Sequence, residues 1–258
     1  MLRWIRIERD GAVIVATIAR PPLNAVDAEL HHELCELFRM LRQETEARAI
    51  LLTGEGKMFS AGGDFDWFPQ LRQPGRLTAL RREAKQLIWD LVDLEVPLVV
   101  AINGPAVGLG ATIALLGDVI LIADTAHIAD PHVRVGIVAG DGGAAIWPLL
   151  VGPVRAKRYL LTGDPIAADE AERIGLVNQV VPAAELHDAA LAMTHRLAAS
   201  APLALQYTKS AVNQQLKAAL QLSFDYSIAH ELITLASADH AEALKAIAER
   251  RDPNFEGH

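Results

Sequence analysis

Apolar and charged residues alternate over Ile5-Arg6-Ile7-Glu8-Arg9, and a second β-rich run, Val13 to Ile18, follows the dipeptide Asp10-Gly11. Two such runs joined by a turn whose glycine accepts positive φ predict a hairpin. After the breaker loop Arg20-Pro21-Pro22-Leu23-Asn24, the apolar positions between Asp27 and Glu46 are Leu30, Leu34, Leu37, Phe38 and Leu41. That is helical spacing, with Asp27 placed to cap the first turn. Ala49–Leu52 is a short apolar strand, and the segment from Thr53 to Asp64 is a glycine-rich loop. Leu77, Leu80, Ala84, Leu87, Ile88, Leu91 and Leu94 form the stripe of a second long helix.

Strand Leu98–Ile102, a turn, helix Leu109–Leu116 and strand Val119–Ala123 come next, so strands and helices alternate as in layers with crossover connections. Beyond Pro131 lies a glycine-rich loop, followed by short helices near Ala144–Leu150 and Arg155–Leu161. A third runs from Asp169 to Ile174 and is ended by Gly175, and Leu176–Val181 is the last strand candidate. From Ala183 the pattern is helical only, over Glu185–Ala199, Leu203–Gln215, Ala218–Leu235 and His240–Arg250. The expectation is an α/β core over residues 1–182 and a helical C-terminal region over residues 183–258. That region caps its own core or packs on a neighbouring subunit; apolar stripes serve both.

Composition narrows the function. With 51% hydrophobic and 22% charged residues, the 258-residue chain has a full core available and is not intrinsically disordered. Its 24 Lys+Arg against 32 Asp+Glu give a net charge of −8, which argues against nucleic acid as a partner. The single cysteine, Cys35, forms no internal disulfide, and no Cys/His cluster has zinc spacing, so a reducing, cytoplasmic setting and no metal are expected. The N-terminus has no apolar run like that of a signal peptide. The stretch from Val96 to Gly117 is uncharged and long enough to span a bilayer, but Pro97, Asn103-Gly104-Pro105, Gly108 and Gly110 divide it into strand, turn and helix. No membrane partner is expected.

Two glycine-rich loops follow predicted strands: Gly54-Glu55-Gly56-Lys57-Met58-Phe59-Ser60-Ala61-Gly62-Gly63-Asp64 and Ala101-Ile102-Asn103-Gly104-Pro105-Ala106-Val107-Gly108-Leu109-Gly110. The second opens a helix, whose N-terminus adds partial positive charge to the backbone amides. Neither loop is a P-loop or a dinucleotide fingerprint.

The run Lys57 to Asp64 resembles the first signature of the crotonase (enoyl-CoA hydratase/isomerase) superfamily, and Ile102 to Gly110 resembles the second. Arg20-Pro21 with Asn24-Ala25 is similar to the family's N-terminal turn, and Glu249-Arg250-Arg251-Asp252-Pro253-Asn254-Phe255 to its C-terminal ending. The resemblance implies a spiral of ββα units with a helical C-terminal trimerisation region. It also implies trimers or hexamers made of two trimers, and no permanently bound cofactor, coenzyme A being part of the substrate. It places the two amides that hold a thioester oxyanion on Gly63 and Leu109; one such donor is worth ~3–4 kcal/mol. Because CoA is a polyanion, Lys57, Arg20, Lys209 and Arg251 are candidates for a local positive rim. Ala61, Asp64, Trp67, Thr112 and Lys57 are the candidate substrate contacts. Trp67 and Phe68 either line an acyl pocket or fill the core.

The chain departs from the hydratases of that family at both catalytic glutamates, where it has Thr112 and His132. His132 is followed nine residues later by Asp141, and a carboxylate near an imidazole fixes its tautomer and raises its basicity. The stretch resembles the β-diketone hydrolase branch typified by oxocamphor hydrolase, whose histidine, aspartate and glutamate correspond to His132, Asp141 and Glu231. That branch has a histidine at the second oxyanion position, where this chain has Leu109. The chain thus combines CoA-type loops with a hydrolase-type acid/base set. The leading reading is an acyl-CoA enzyme in which His132, oriented by Asp141, moves the proton or activates water. The alternatives are a CoA-independent β-diketone hydrolase and a non-catalytic family member. His31-His32, beside Cys35, reads as a pair of solvated histidines rather than a metal site.

Overall fold

The computed structural model describes residues 2–73 and 75–258. Strands β1 (Ile5–Asp10) and β2 (Val13–Ile18) form the expected antiparallel hairpin. Helix α1 (Ala28–Arg42) follows, and the Asp27 side chain accepts the Leu30 amide as its cap. Next come β3 (Ala49–Gly54), the one-turn helix α2 (Phe68–Leu71) and α3 (Arg76–Val92). Strand β4 (Leu98–Ile102), the short β5 (Ala106–Val107), α4 (Leu109–Leu115) and β6 (Val119–Ala123) follow.

Beyond β7 (His127–Ala129), a 3-10 turn covers His132–Val135. The chain then runs through α5 (Gly143–Val151), α6 (Pro153–Thr162), β8 (Ile166–Ala167), α7 (Ala168–Arg173) and β9 (Gln179–Val181). It ends in α8 (Leu186–Ala198), α9 (Pro202–Leu235) and α10 (Ala238–Glu249).

The main sheet has the order β1-β2-β3-β4-β6-β9, parallel except for β1, and a smaller sheet has the order β5-β7-β8. Strands covered on both faces read as unbroken apolar runs, which is why all of β4 is buried. This strand and the two short elements after it account for the uncharged stretch 96–117. No helix among the described residues is long and apolar enough to cross a membrane. Such an α/β core with a helical C-terminal region is the crotonase-like architecture expected from the sequence.

Two expectations change. The expected helices Leu203–Gln215 and Ala218–Leu235 are one helix, α9, because no glycine or proline interrupts the chain between Pro202 and Leu235. Helix α8 also lies against β2, β3, β4 and β6, and Leu186, Ala190 and Ala198 join the main hydrophobic core. The C-terminal region therefore starts by covering the sheet rather than by building a core of its own. Helix α9 then packs on α3 and α5, which brings the middle of the chain and its C-terminal third to one place.

Candidate active site

The two glycine-rich loops lie side by side. The Phe59 and Ser60 amides donate to the Pro105 carbonyl, and Val107 donates to Ser60. Asn24 braces the first loop, its Nδ2 donating to the carbonyls of Glu55 at 3.0 Å and Met58 at 2.8 Å, while Ser60 Oγ donates to the Asn24 carbonyl. At the head of α4, Gly108 has φ +53°, which favours glycine, and the Leu109 amide is in the first turn. First-turn amides have no partner within their own helix. Neither the Gly63 nor the Leu109 amide donates to an acceptor among the described residues. Both residues line one cavity of about 60 Å³, together with Trp67, Phe68, His132, Asp141 and Glu231.

His132 comes from the 3-10 turn after Pro131. Its ring lies beside the head of α4: a Cβ at Gly108 would be 3.4 Å from Cε1 and 3.7 Å from Nε2. Asp130 Oδ1 is 2.5 Å from Nδ1, whereas Asp141 Oδ2 is 3.7 Å from Nε2. The carboxylate that orients the imidazole is therefore Asp130, not the expected Asp141; the ring nitrogen facing Asp141 is beyond direct hydrogen bonding and open to a ligand. Asp141 is fixed by Thr112 instead, whose buried hydroxyl donates to Oδ1 at 3.1 Å. Glu231 reaches the cavity from α9, where Gly140 makes room for it: a Cβ there would be 2.5 Å from Glu231 Cβ.

Burial on its own would lower the His132 pKa, but the charges of Asp130 and then Asp141 outweigh it and hold it up at about 10. Burial, followed by the charge of Asp141, pushes Glu231 up to about 8. Burial also raises Asp141. Both shifts favour the protonated forms of His132 and Glu231, so the site is disposed to give protons. Asp130, His132 and Asp141 bring one possible metal-ligating atom each within 4.8 Å of one another. A metal would need a His132 ring nitrogen free of its proton, and Nδ1 is already engaged by Asp130.

The family model described as Enoyl-CoA hydratase/isomerase matches residues 8–258. The chain belongs to the enoyl-CoA hydratase/isomerase family. It is an enzyme of this family by its relatives as well. It is 34% identical over 263 residues to carnitinyl-CoA dehydratase from Salmonella arizonae, covering 100% of both chains. An enoyl-CoA hydratase/isomerase from Mycobacterium paratuberculosis superposes with a TM-score of 0.89 at 36% identity, over 94% of this chain and 97% of that one. A beta-diketone hydrolase from Anabaena sp. PCC 7120 superposes with a TM-score of 0.85 at 29% identity, over 90% and 94% of the two chains.

Of the expected site residues, the structure brings Gly63, Leu109, Trp67, His132, Asp141 and Glu231 onto one cavity, while Thr112 supports Asp141 from behind. Ala61, Asp64 and Lys57 do not line it. Asp64 pairs with Arg20 at 2.9 Å, and Lys57 is on the exposed side of its loop. The proposed cationic rim thins for the same kind of reason. Arg20 also pairs with Asp27, Lys209 is buried against Asp118, and Arg251 is held by Glu242 and Glu249. Asp130 was missed, although Asp-Pro-His is a local signal: a carboxylate two residues before an imidazole across a proline turn. His31 is not solvated; it is 2% exposed and lines the cavity, while His32 is exposed.

Proposed function

We propose that the protein acts on acyl-CoA thioesters, adding or removing water next to the thioester through an enolate. The oxyanion would be held by the amides of Gly63 and Leu109, and His132 with Asp141 would replace the two hydratase glutamates. The observation that carries this reading is the convergence on one cavity of two unpartnered amides and a charged imidazole. In the dehydrating direction, Asp141 accepts the α-proton, and the electron pair moves onto the thioester oxygen. The enolate then collapses to a double bond as the hydroxyl leaves with a proton from His132, so that one water is released. An imidazolium suits this role, since leaving hydroxide needs a proton. The name of the Salmonella relative supports the same class of reaction. The open Lys57 side chain is the remaining candidate for contact with the CoA phosphates.

The second reading is CoA-independent cleavage of a β-diketone. It is favoured by the meeting of His132, Asp141 and Glu231 and by the likeness to the Anabaena hydrolase. A panel of 3-hydroxyacyl-CoA, enoyl-CoA and cyclic β-diketone substrates separates the two, with calorimetry against CoA alongside. Turnover of thioesters that is lost in His132→Ala while CoA affinity remains is the expected result. Diketone cleavage without CoA binding at millimolar ligand rejects the first reading in favour of the second.

The assembly we propose is a homotrimer, alone or paired as a hexamer. Supporting it are large apolar side chains that stand in water in the single chain, among them Leu222 at 86% exposure and Val154 at 83%. The lone buried Cys35 is in keeping with a cytoplasmic setting.

A further inference from the structure

His31 has no part in the chemistry proposed above, yet it is buried in the wall of the same cavity. It sits on α1, packed at 5.7 Å between ring centroids against Trp67. Its Nδ1 faces Glu83 Oε2 of α3 at 3.4 Å, too loosely to count as a full hydrogen bond, and no other partner reaches that nitrogen. The contact with His31 is the foremost of those that draw the Glu83 carboxyl below its usual range. A carboxylate on this side favours the tautomer with its proton on Nδ1, which leaves Nε2 for a ligand. The neighbours of His31 in the lining are Val26, Leu71, Leu80 and Ala84, with Arg81, which pairs with Asp225 at 3.7 Å, the other polar side chain from α3. A polar ring is costly in such surroundings unless something completes its hydrogen bonding.

We infer that His31, set by Glu83, is a specificity-determining contact that selects acyl groups carrying a hydroxyl, which can donate to Nε2, away from the reacting carbons. This rests on the acyl-CoA reading and adds a substrate class to it. A plain alkyl chain would exclude water from Nε2 and return nothing, and sites built around a hydrogen bond discriminate strongly against ligands that lack it.

The test compares kcat/KM for CoA thioesters of equal chain length with a terminal methyl, hydroxyl or oxo group. The native enzyme is expected to prefer the hydroxylated substrate by about tenfold or more. In His31→Leu that ratio should collapse towards one, chiefly through KM. Glu83→Gln, a change at a half-exposed position that leaves the core untouched, should lower the ratio in the same direction and covers the case in which His31→Leu does not fold. A preference for the oxo substrate alone overturns the inference, since it needs Nε2 to donate. Equal use of all three substrates by the native enzyme overturns the inference while leaving the acyl-CoA reading standing, as does a ratio unchanged in the variants. No turnover of any thioester rejects the acyl-CoA reading and this inference with it.

Discussion

The imidazole of His132 sits between two carboxylates, of which only Asp130 is close enough to fix a ring nitrogen. Asp130 holds Nδ1 at 2.5 Å, so the ring cannot turn, and its charge is the chief support of the raised pKa. Replacing Asp130 by Asn keeps the shape and removes the charge. The expected outcome is a His132 pKa well below its native value, read by NMR titration, and a kcat reduced about tenfold to a hundredfold. An unmoved pKa would mean that Asp141 alone sustains the imidazolium. At Glu231 the raised pKa reflects burial first, so Glu231→Gln mimics the protonated form that burial favours. With Asp141 as the base, this variant should keep exchange of the α-proton with deuterated solvent; loss of exchange would make Glu231 the base.

Elements bring these residues within reach of one another, and two contacts between elements are especially tight. A Cβ at Gly140 would be 2.5 Å from Glu231 Cβ and 2.6 Å from the Ser227 carbonyl, both on α9. Gly140→Ala must push the helix away from the loop, so it should cost ~1–3 kcal/mol in thermal or denaturant unfolding and lower activity as Glu231 shifts. The second contact is between α2 and the first loop. The Phe68 ring lies over Gly63, its Cζ 2.4 Å from where a Cβ would stand, and its other edge meets His240 at 5.3 Å. The cavity beneath, about 60 Å³, is well short of the ~300 Å³ at the small end of ligand pockets. The Phe68 ring, lying over Gly63, is the side chain expected to move aside for an acyl chain. Phe68→Ala should lower KM most for the longest acyl chains, and an unchanged chain-length profile would show that the room is made elsewhere.

At the scale of the molecule, the buried proton-rich cluster couples folding to pH. His132 has a folded pKa of about 10, raised from 6.5, so the stability it contributes is full below 6.5 and is lost as pH rises through 10. Glu231, raised from 4.5 to about 8, resists ionisation when folded, so its penalty also grows as pH rises, between 4.5 and 8. The two act in the same direction, and the unfolding temperature should fall steadily from pH 5 to pH 9. Glu231→Gln should flatten the lower part of that curve. Sedimentation tests the proposed trimer: the native chain should run as three copies or a multiple of three. Leu222→Glu, on exposed α9 surface, should reduce the assembled fraction if that face is an interface.

The sequence by itself determined the longer elements, because their signals are local, whereas the two- to four-residue elements α2, β5, β7 and β8 gave none. Strands β4 and β6 were legible to the residue as apolar runs bounded by turns, and the Asp27 cap marked the start of α1. The motifs of the two loops pointed to the family, and the resemblance made Gly63, Leu109 and His132 the candidates for its site. Tertiary structure decided what depends on neighbours far apart in the chain. It put His31 inside because Trp67 and α3 close over it, and it neutralised Arg20 and Lys209 because acids folded against them. It also gave Asp130 rather than Asp141 the task of orienting His132, since two residues across a proline turn approach more closely than nine residues around a glycine loop. Periodicity records which face of an element is buried, whereas charge pairing and pKa depend on distances that only the packed chain sets.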